Sequence, residues 1–397
     1  MSYRFGYLAL TLVTMTGCEQ LSDTASTSLS PQSVLASCQK ALDGKDIKTA
    51  AKDCPFAEQW IDRKQPDSAL HAEALEKLAD VLVLVNSNAA ATNYQQALTL
   101  REKLADKSIP LEGLQLKLAN SLSGLGRWAE AEKLLGQIKP AKGMDSLEGA
   151  DILNRLGVAQ LQQKSVANAE QSLRQAMTIR EAKLEASDPV LGETYSNLGF
   201  LYQLTGKNQD AENYYRKAVQ NQESAKVVPY TALYDALSNL AALLQKDGKL
   251  QDSETYLQKL LAAAEKGFGK ESVQYATGLN SLGMLGMSVR NYTAAEKLFN
   301  DSLVIREKIL GVNHILTAES ANNLAVALAN QGKRAQALPL MRHAAAVTNV
   351  AMGVNNPLTQ QRWNSLLQLE ASVGNKRAPT AAPDVQEAPS SGKKSKK

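Results

Sequence analysis

Residues 197–212 read Asn197-Leu198-Gly199-Phe200-Leu201-Tyr202-Gln203-Leu204-Thr205-Gly206-Lys207-Asn208-Gln209-Asp210-Ala211-Glu212. A helical stretch carrying Leu198 and the small Gly199 breaks at Gly206-Lys207, and a second stretch opens with the small Ala211. The pattern recurs. Leucines stand at 156, 198, 240, 282, 324 and 366, an unbroken interval of 42 residues. A small residue follows the first five of them: Gly157, Gly199, Ala241, Gly283 and Ala325. Thirteen residues after each leucine comes Ala169, Ala211, Ser253, Ala295 or Ala337. Small residues at these two places let paired helices approach closely. Turn signals lie between them, Gly206-Lys207, Gly248-Lys249 and Gly332-Lys333, with Lys164-Ser165 and Arg290-Asn291 in the variant copies. The second helix carries Leu173, Tyr215, Leu257, Phe299 or Met341. Each unit is therefore a helix, a tight turn and a longer helix.

Composition agrees with an all-α chain. The 397 residues are 44% hydrophobic but only 5% aromatic, a mixture suited to helices and poor in strand formers. A chain of this length normally divides into globular domains, whereas stacked repeats need only their neighbours. The period, with Ile179-Arg180-Glu181 and Ile305-Arg306-Glu307-Lys308-Ile309-Leu310-Gly311, resembles the tetratricopeptide repeat of the kinesin-light-chain subtype. The resemblance implies a right-handed superhelical solenoid of about seven helix-turn-helix repeats closed by a C-terminal capping helix. Five repeats fall at 151–359, and two divergent ones at 71–150, where the phase slips around Leu118-Ala119 and Leu78-Ala79. Residues 33–70 read as an N-terminal helical cap, and 360–375, within the stretch Pro357 to Gly374, as the closing helix.

The N-terminus has a positive charge at Arg4, a short apolar run too short to span a bilayer, and small residues before Cys18. Residues 1–17 thus form an export signal. Met15-Thr16-Gly17-Cys18 resembles the bacterial lipobox, although Met15 replaces the usual leucine. That resemblance makes Cys18 a lipidated mature N-terminus, with an ordinary secretory signal as the alternative. By resemblance to enterobacterial lipoproteins, Glu19 in place of aspartate favours the outer over the inner membrane, facing the periplasm. Each buried methylene of such an anchor contributes about 0.8 kcal/mol. Residues 18–32 read as a flexible tether. In an oxidising compartment Cys38 and Cys54, flanking a break at Asp43-Gly44-Lys45, are placed to close a disulfide. Buried free thiols are the other reading; the closed loop would contribute about 3 kcal/mol.

The C-terminal residues 376–397 carry three prolines and six Lys/Arg against Asp384 and Glu387, and read as a disordered basic tail. Subtracting that tail and Arg4 from the formal charge of +4 leaves the repeat body close to neutral. Basicity belongs to the tail, where it aids solubility or meets an anionic surface, and gives no case for a nucleic-acid partner.

Motifs for chemistry are missing from the sequence. His71, His314 and His343 are far apart, with no ligand-spaced cluster for a metal. There is no G-x-S-x-G, P-loop or G-x-G-x-x-G motif, so neither catalytic residues nor a cofactor is expected. What remains is a surface. By resemblance to the family, the two positions before each 42-spaced leucine face the concave groove, and they hold Asn154, Asn197, Asn239, Asn280, Asn322 and Asn323. An amide offers donor and acceptor together and suits the main chain of an extended partner segment. The same asparagines would alternatively bond between repeats. Phe200, Met284 and Met287, one turn further on, offer apolar selectivity. The expected function is a membrane-anchored adaptor binding partner proteins in a bacterial cell envelope, assisting a pilus, secretion or cell-wall complex, or else a regulator docked on a cell-wall enzyme. The sequence does not fix an oligomeric state.

Overall fold

Helix boundaries follow local chemistry. The first helix of the later units is capped at positions recurring every 42 residues. Ser146, Asp188, Ser272, His314 and Asn356 each accept a bond from a backbone N–H of the first turn. Tyr230 breaks the series, and there the helix begins after Pro229 without a side-chain cap.

The computed structural model describes residues 30–84, 86–105 and 110–373, and all the elements found there are helical. They are α1 Pro31–Asp43, α2 Ile47–Lys64, α3 Ala69–Leu82, α4 Ser87–Leu104, α5 Glu112–Gly124, α6 Trp128–Gln137, α7 Leu147–Gln162, α8 Val166–Lys183, α9 Pro189–Leu204 and α10 Asn208–Glu223. These are followed by α11 Tyr230–Lys246, α12 Leu250–Phe268, α13 Val273–Ser288, α14 Tyr292–Leu310, α15 Ile315–Asn330, α16 Arg334–Met352 and α17 Pro357–Ser372. Successive helices pair as antiparallel hairpins, α3 with α4 through α15 with α16, leaving α17 alone. The fold is an all-α solenoid of helical pairs. The export signal, Cys18, the expected tether up to residue 29 and the basic tail lie outside the described residues.

Packing divides the chain into two units, one ending at Val227 and the other beginning at Val228. The first opens with the hairpin α1–α2, joined by a disulfide between Cys38 and Cys54. Its buried face, with Val34, Cys38, Ala50 and Ala57, packs against Val81 of α3. The phase slip in the next two pairs is bridged by charge. Glu76 and Asp80 of α3 receive Arg101 from α4 and Lys117 from α5, while Tyr94 donates its hydroxyl to Asp80 at 2.7 Å. Burial alone would raise the Glu76 carboxyl, but the hydrogen bond and charge of Lys117, with the charge of Arg101, hold it below the usual carboxylate range.

In both units the small–large pattern is realised as contact. A Cβ at Gly157 would lie 2.6 Å from Leu173, one at Gly199 2.7 Å from the Tyr215 ring, and one at Gly283 2.6 Å from the Phe299 ring. Where the second-helix residue is Leu257 or Met341, the first helix carries Ala241 or Ala325, fully buried. Ala169, Ala211, Ser253, Ala295 and Ala337 are also completely buried. Both rings thus face glycine, whereas leucine faces glycine at Gly157 and packs with alanine at Ala241.

The turns between paired helices need a left-handed residue. Gly206, Gly248 and Gly332 supply it with φ of 74° to 80°, whereas Lys164 and Arg290 are forced to φ of 62° and 57°. A side chain in this region costs about 1–2 kcal/mol, partly offset by the extra freedom glycine gives the unfolded chain. Lys164→Gly and Arg290→Gly should therefore each stabilise their unit, by up to about 1 kcal/mol. A thermal melt of each variant that shows no rise in Tm would contradict this.

His314 is an unusual cap, because Nδ1 accepts from the Leu316 N–H at 3.1 Å only while it is unprotonated. Burial, and then the charge of Arg306, lower its pKa. A folded-state pKa below the unfolded value means that the unfolded chain takes up the proton first, so this contribution is present above about pH 6.5 and lost as pH falls below it. His314→Asn, which keeps the cap as Asn356 does, should flatten the melting profile of the second unit between about pH 7 and 5.

Candidate functional site

The asparagines expected to line a groove form two kinds of contact. Asn197 of α9 donates Nδ2 to Oδ1 of Asn154 on α7 at 3.1 Å, and Asn323 of α15 donates Nδ2 to Oδ1 of Asn280 on α13 at 3.0 Å. Each bond spans 43 residues, one repeat plus one position. Asn154 is only 1% exposed, also donates to Glu193 at 3.3 Å, and Asn280 is buried as well. Burial takes Asn154 and Asn280 out of a partner's reach, and their oxygens serve inter-repeat bonds, the other reading of these asparagines. Asn197, Asn239, Asn322 and Asn323 remain partly exposed.

The rule of these bonds explains an orphan. Asn322 occupies the acceptor position of Asn154 and Asn280, but its Oδ1 is buried without a partner. One repeat plus one position later stands Ser365 of α17, which spends its hydroxyl on the Gln361 carbonyl at 3.0 Å. Ser365→Asn should supply the missing donor and stabilise the C-terminal end by about 1 kcal/mol. The check is the melting temperature in parallel with Asn322→Ala/Ser365→Asn, where the gain should vanish. Ser196, at the same phase as Asn322, likewise has a buried hydroxyl with no partner.

Of the apolar residues expected beside this row, Met284 is 46% exposed, Phe200 is half-buried, and Met287 packs against the core of α14–α17.

Sequence reasoning passed over a second polar series. Arg180 and Arg306, three repeats apart, are 2% and 1% exposed. Arg180 donates to Thr194 Oγ1 at 2.5 Å and the Val190 carbonyl at 3.3 Å, both on α9, and to Asp151 of α7 at 3.3 Å. Arg306 repeats the arrangement with Ser320 at 2.9 Å, the Leu316 carbonyl at 2.7 Å, Glu319 at 3.1 Å and Thr277 of α13 at 3.0 Å. At the last junction the partners are exchanged: Arg362 of α17 donates to Thr348 of α16. Burial lowers the pKa of Arg180 and Arg362, yet a guanidinium stays charged and needs these acceptors. The visible signal was an Arg followed fourteen residues later by Thr or Ser.

Among the described residues no group of three or more His, Cys, Asp and Glu side chains has metal-binding geometry, and no helix is long and apolar enough to cross a membrane. Each unit carries one amide pair bonded from repeat to repeat, Asn154–Asn197 in the first and Asn280–Asn323 in the second.

Known proteins show the same architecture. Models described as tetratricopeptide repeat match residues 150–224 and 287–349, and a further one matches 235–274. The sensor-bearing STAND signal-transduction ATPase of Pyrococcus horikoshii, with its tetratricopeptide repeats, superposes with TM-score 0.61 at 14% identity over 87% of this chain and 50% of that one. The apo quorum sensor NprR of B. thuringiensis does so with TM-score 0.57 at 16% identity, covering 82% of this chain and 90% of that one. A putative kinesin light chain of Podosopora anserina with nearly identical TPR-like repeats aligns at 21% identity with TM-score 0.45, over 50% of this chain and 95% of that one. No curated protein matches the sequence. The hairpin packing, the 42-residue period and the matched models agree: over these residues the chain is built of tetratricopeptide repeats.

Proposed function

We propose that this interaction scaffold holds an extended partner segment along its first-helix amides, from a lipid anchor at Cys18 in a bacterial cell envelope, and so assists a multiprotein complex there. The supporting observation is the orientation of Asn197 and Asn323. Each is fixed by donating Nδ2 to a buried asparagine of the preceding repeat, while its Oδ1 accepts nothing from a described residue. A fixed acceptor loses little freedom on meeting a backbone N–H, which favours binding. The buried amides Asn154 and Asn280 position this row and do not touch the partner. The anchor is supported by the lipobox-like Met15-Thr16-Gly17-Cys18, and the envelope location by the Cys38–Cys54 disulfide, since such bonds persist in oxidising compartments.

Two experiments test the two halves. Intact-mass analysis of the mature protein should show acyl mass on Cys18, and a fully soluble chain without it would sink the anchor. Asn239→Ala, at a partly exposed amide, should weaken partner binding about twofold to tenfold, the cost of one hydrogen bond, without moving the melting temperature. Asn154→Ala should do the reverse. Unchanged binding by Asn239→Ala would place the partner on another face.

A further inference from the structure

One surface cleft is built twice in this chain, three repeats apart, and it is filled only once. On α8–α10 its residues are Glu170, Arg174, Tyr202, Lys207 and Tyr214; the same positions 126 residues later, on α14–α16, are Glu296, Asn300, Leu328, Lys333 and Leu340. In the early copy the rings of Tyr202 and Tyr214 stack, with centroids 5.5 Å apart and planes 13° from parallel. Tyr202 donates its hydroxyl to Glu170 at 2.7 Å. Arg174 and Lys207 lie over the Tyr202 ring at 5.8 and 5.4 Å. In the late copy leucines replace both tyrosines, leaving an open cleft of about 560 Å³ with an apolar floor of Leu324, Leu328 and Leu340.

The rim keeps Glu296 and Lys333, the counterparts of Glu170 and Lys207, while Asn300 replaces Arg174. Glu296 uses Oε2 for both Gln331 and Lys333, each at 2.7 Å, and its Oε1 accepts nothing from a described residue. The bond from Lys333 holds the Glu296 carboxyl below the usual range, so it is an anionic acceptor. Lys297, also on the rim, is exposed and has no carboxylate partner among the described residues.

We propose that the α14–α16 cleft is a recognition site for a tyrosine side chain of a partner segment, with an acidic residue of that segment beside Lys297. The ring lies on Leu328 and Leu340, in the place that two stacked rings fill three repeats earlier, and the phenol donates to Glu296 Oε1 as Tyr202 donates to Glu170. The unpaired cation of Lys297 selects the acidic neighbour by charge complementarity. This site uses residues of α15 other than Asn322 and Asn323, and depends neither on the amide row nor on the anchor.

The test uses the purified full-length chain and a capped peptide, Gly-Asp-Tyr-Glu-Gly, followed by titration calorimetry. Saturable binding is expected, with at least a tenfold loss when the peptide tyrosine becomes leucine and a several-fold loss when its acids become serine. On the protein side, Leu328→Tyr/Leu340→Tyr rebuilds the filled copy and should reduce binding at least tenfold while the melting temperature holds. Lys297→Glu, on the exposed rim, decides the matter should the filled variant misfold, and should cost several-fold. The proposal is overturned by absence of saturable binding at millimolar peptide, by equal binding of the leucine peptide, or by binding that Lys297→Glu leaves unchanged.

Discussion

Gly283→Leu should unfold the second unit under conditions where the native chain is stable, because Phe299 already occupies the space. A bare Cβ at Gly283 would sit 2.6 Å from Cε1 of that buried ring, closer than atoms can approach, and the three further carbons have nowhere to go. Overpacking a filled core costs typically 1–3 kcal/mol for added methylenes, and a full isobutyl group against a fixed ring exceeds that range. Gly283→Ala separates sterics from propensity. Alanine gains about 1 kcal/mol over glycine in a helix, so a fall in Tm for this variant measures the ring contact alone. The chain also supplies the rescue, since Ala241 faces Leu257 and Ala325 faces Met341 in other repeats. Gly283→Ala/Phe299→Leu should therefore melt above the sum of its two single variants, with a coupling of about 1 kcal/mol or more. Additive single and double values would show that the two positions do not share space.

Arg306→Ala is expected to cost the second unit about 3 kcal/mol or more. The substitution removes the charged donor that meets the Leu316 carbonyl and the hydroxyls of Ser320 and Thr277, a hydrogen bond to a charged group contributing about 1.5–3 kcal/mol, and it opens a cavity where the guanidinium lay. Glu319 contributes less, because its carboxylate is 41% exposed and regains water. Arg306→Lys should recover little, since one ammonium does not reach acceptors on both α13 and α15. The exchanged pair at the last junction suggests a sharper check. Thr348 and Arg362 stand where Arg306 and Ser320 stand one repeat earlier, with donor and acceptor swapped. Arg306→Thr/Ser320→Arg should accordingly melt above Arg306→Thr alone in chemical denaturation. If the double variant is the less stable of the two, the arginine acts through packing in its own helix and the junction bond is secondary.

The later repeats were legible because their signal is volume and spacing. Leu198, Gly199, Gly206 and Ala211 recur at one interval, and each has a steric reason to be small, apolar or left-handed. Lys164 and Arg290 marked turns by position although their side chains are unfavourable there. The first two pairs were less regular, because α3–α5 are joined by Glu76, Asp80, Arg101 and Lys117, and a salt-bridge network leaves no fixed interval to detect. Arg180 and Arg306 were seen only as parts of a family-like motif. A buried arginine is written in the sequence like an exposed one, and its acceptors Thr194 and Ser320 differ in kind. The asparagines were located but not sorted. Spacing shows that Asn154 and Asn197 are neighbours, yet which one buries its oxygen depends on a tilt between helices that no single sequence displays.

The central claim is that the chain works by holding another protein on its first-helix face, and photo-crosslinking in intact cells tests it most directly. A crosslinkable amino acid at position 239, a partly exposed amide of α11, should give a discrete higher-mass adduct with one partner protein. The same residue at position 258, on the exposed outer side of α12, should give none. Adducts of equal yield from both positions, or none from position 239 while position 258 reacts, would contradict the account.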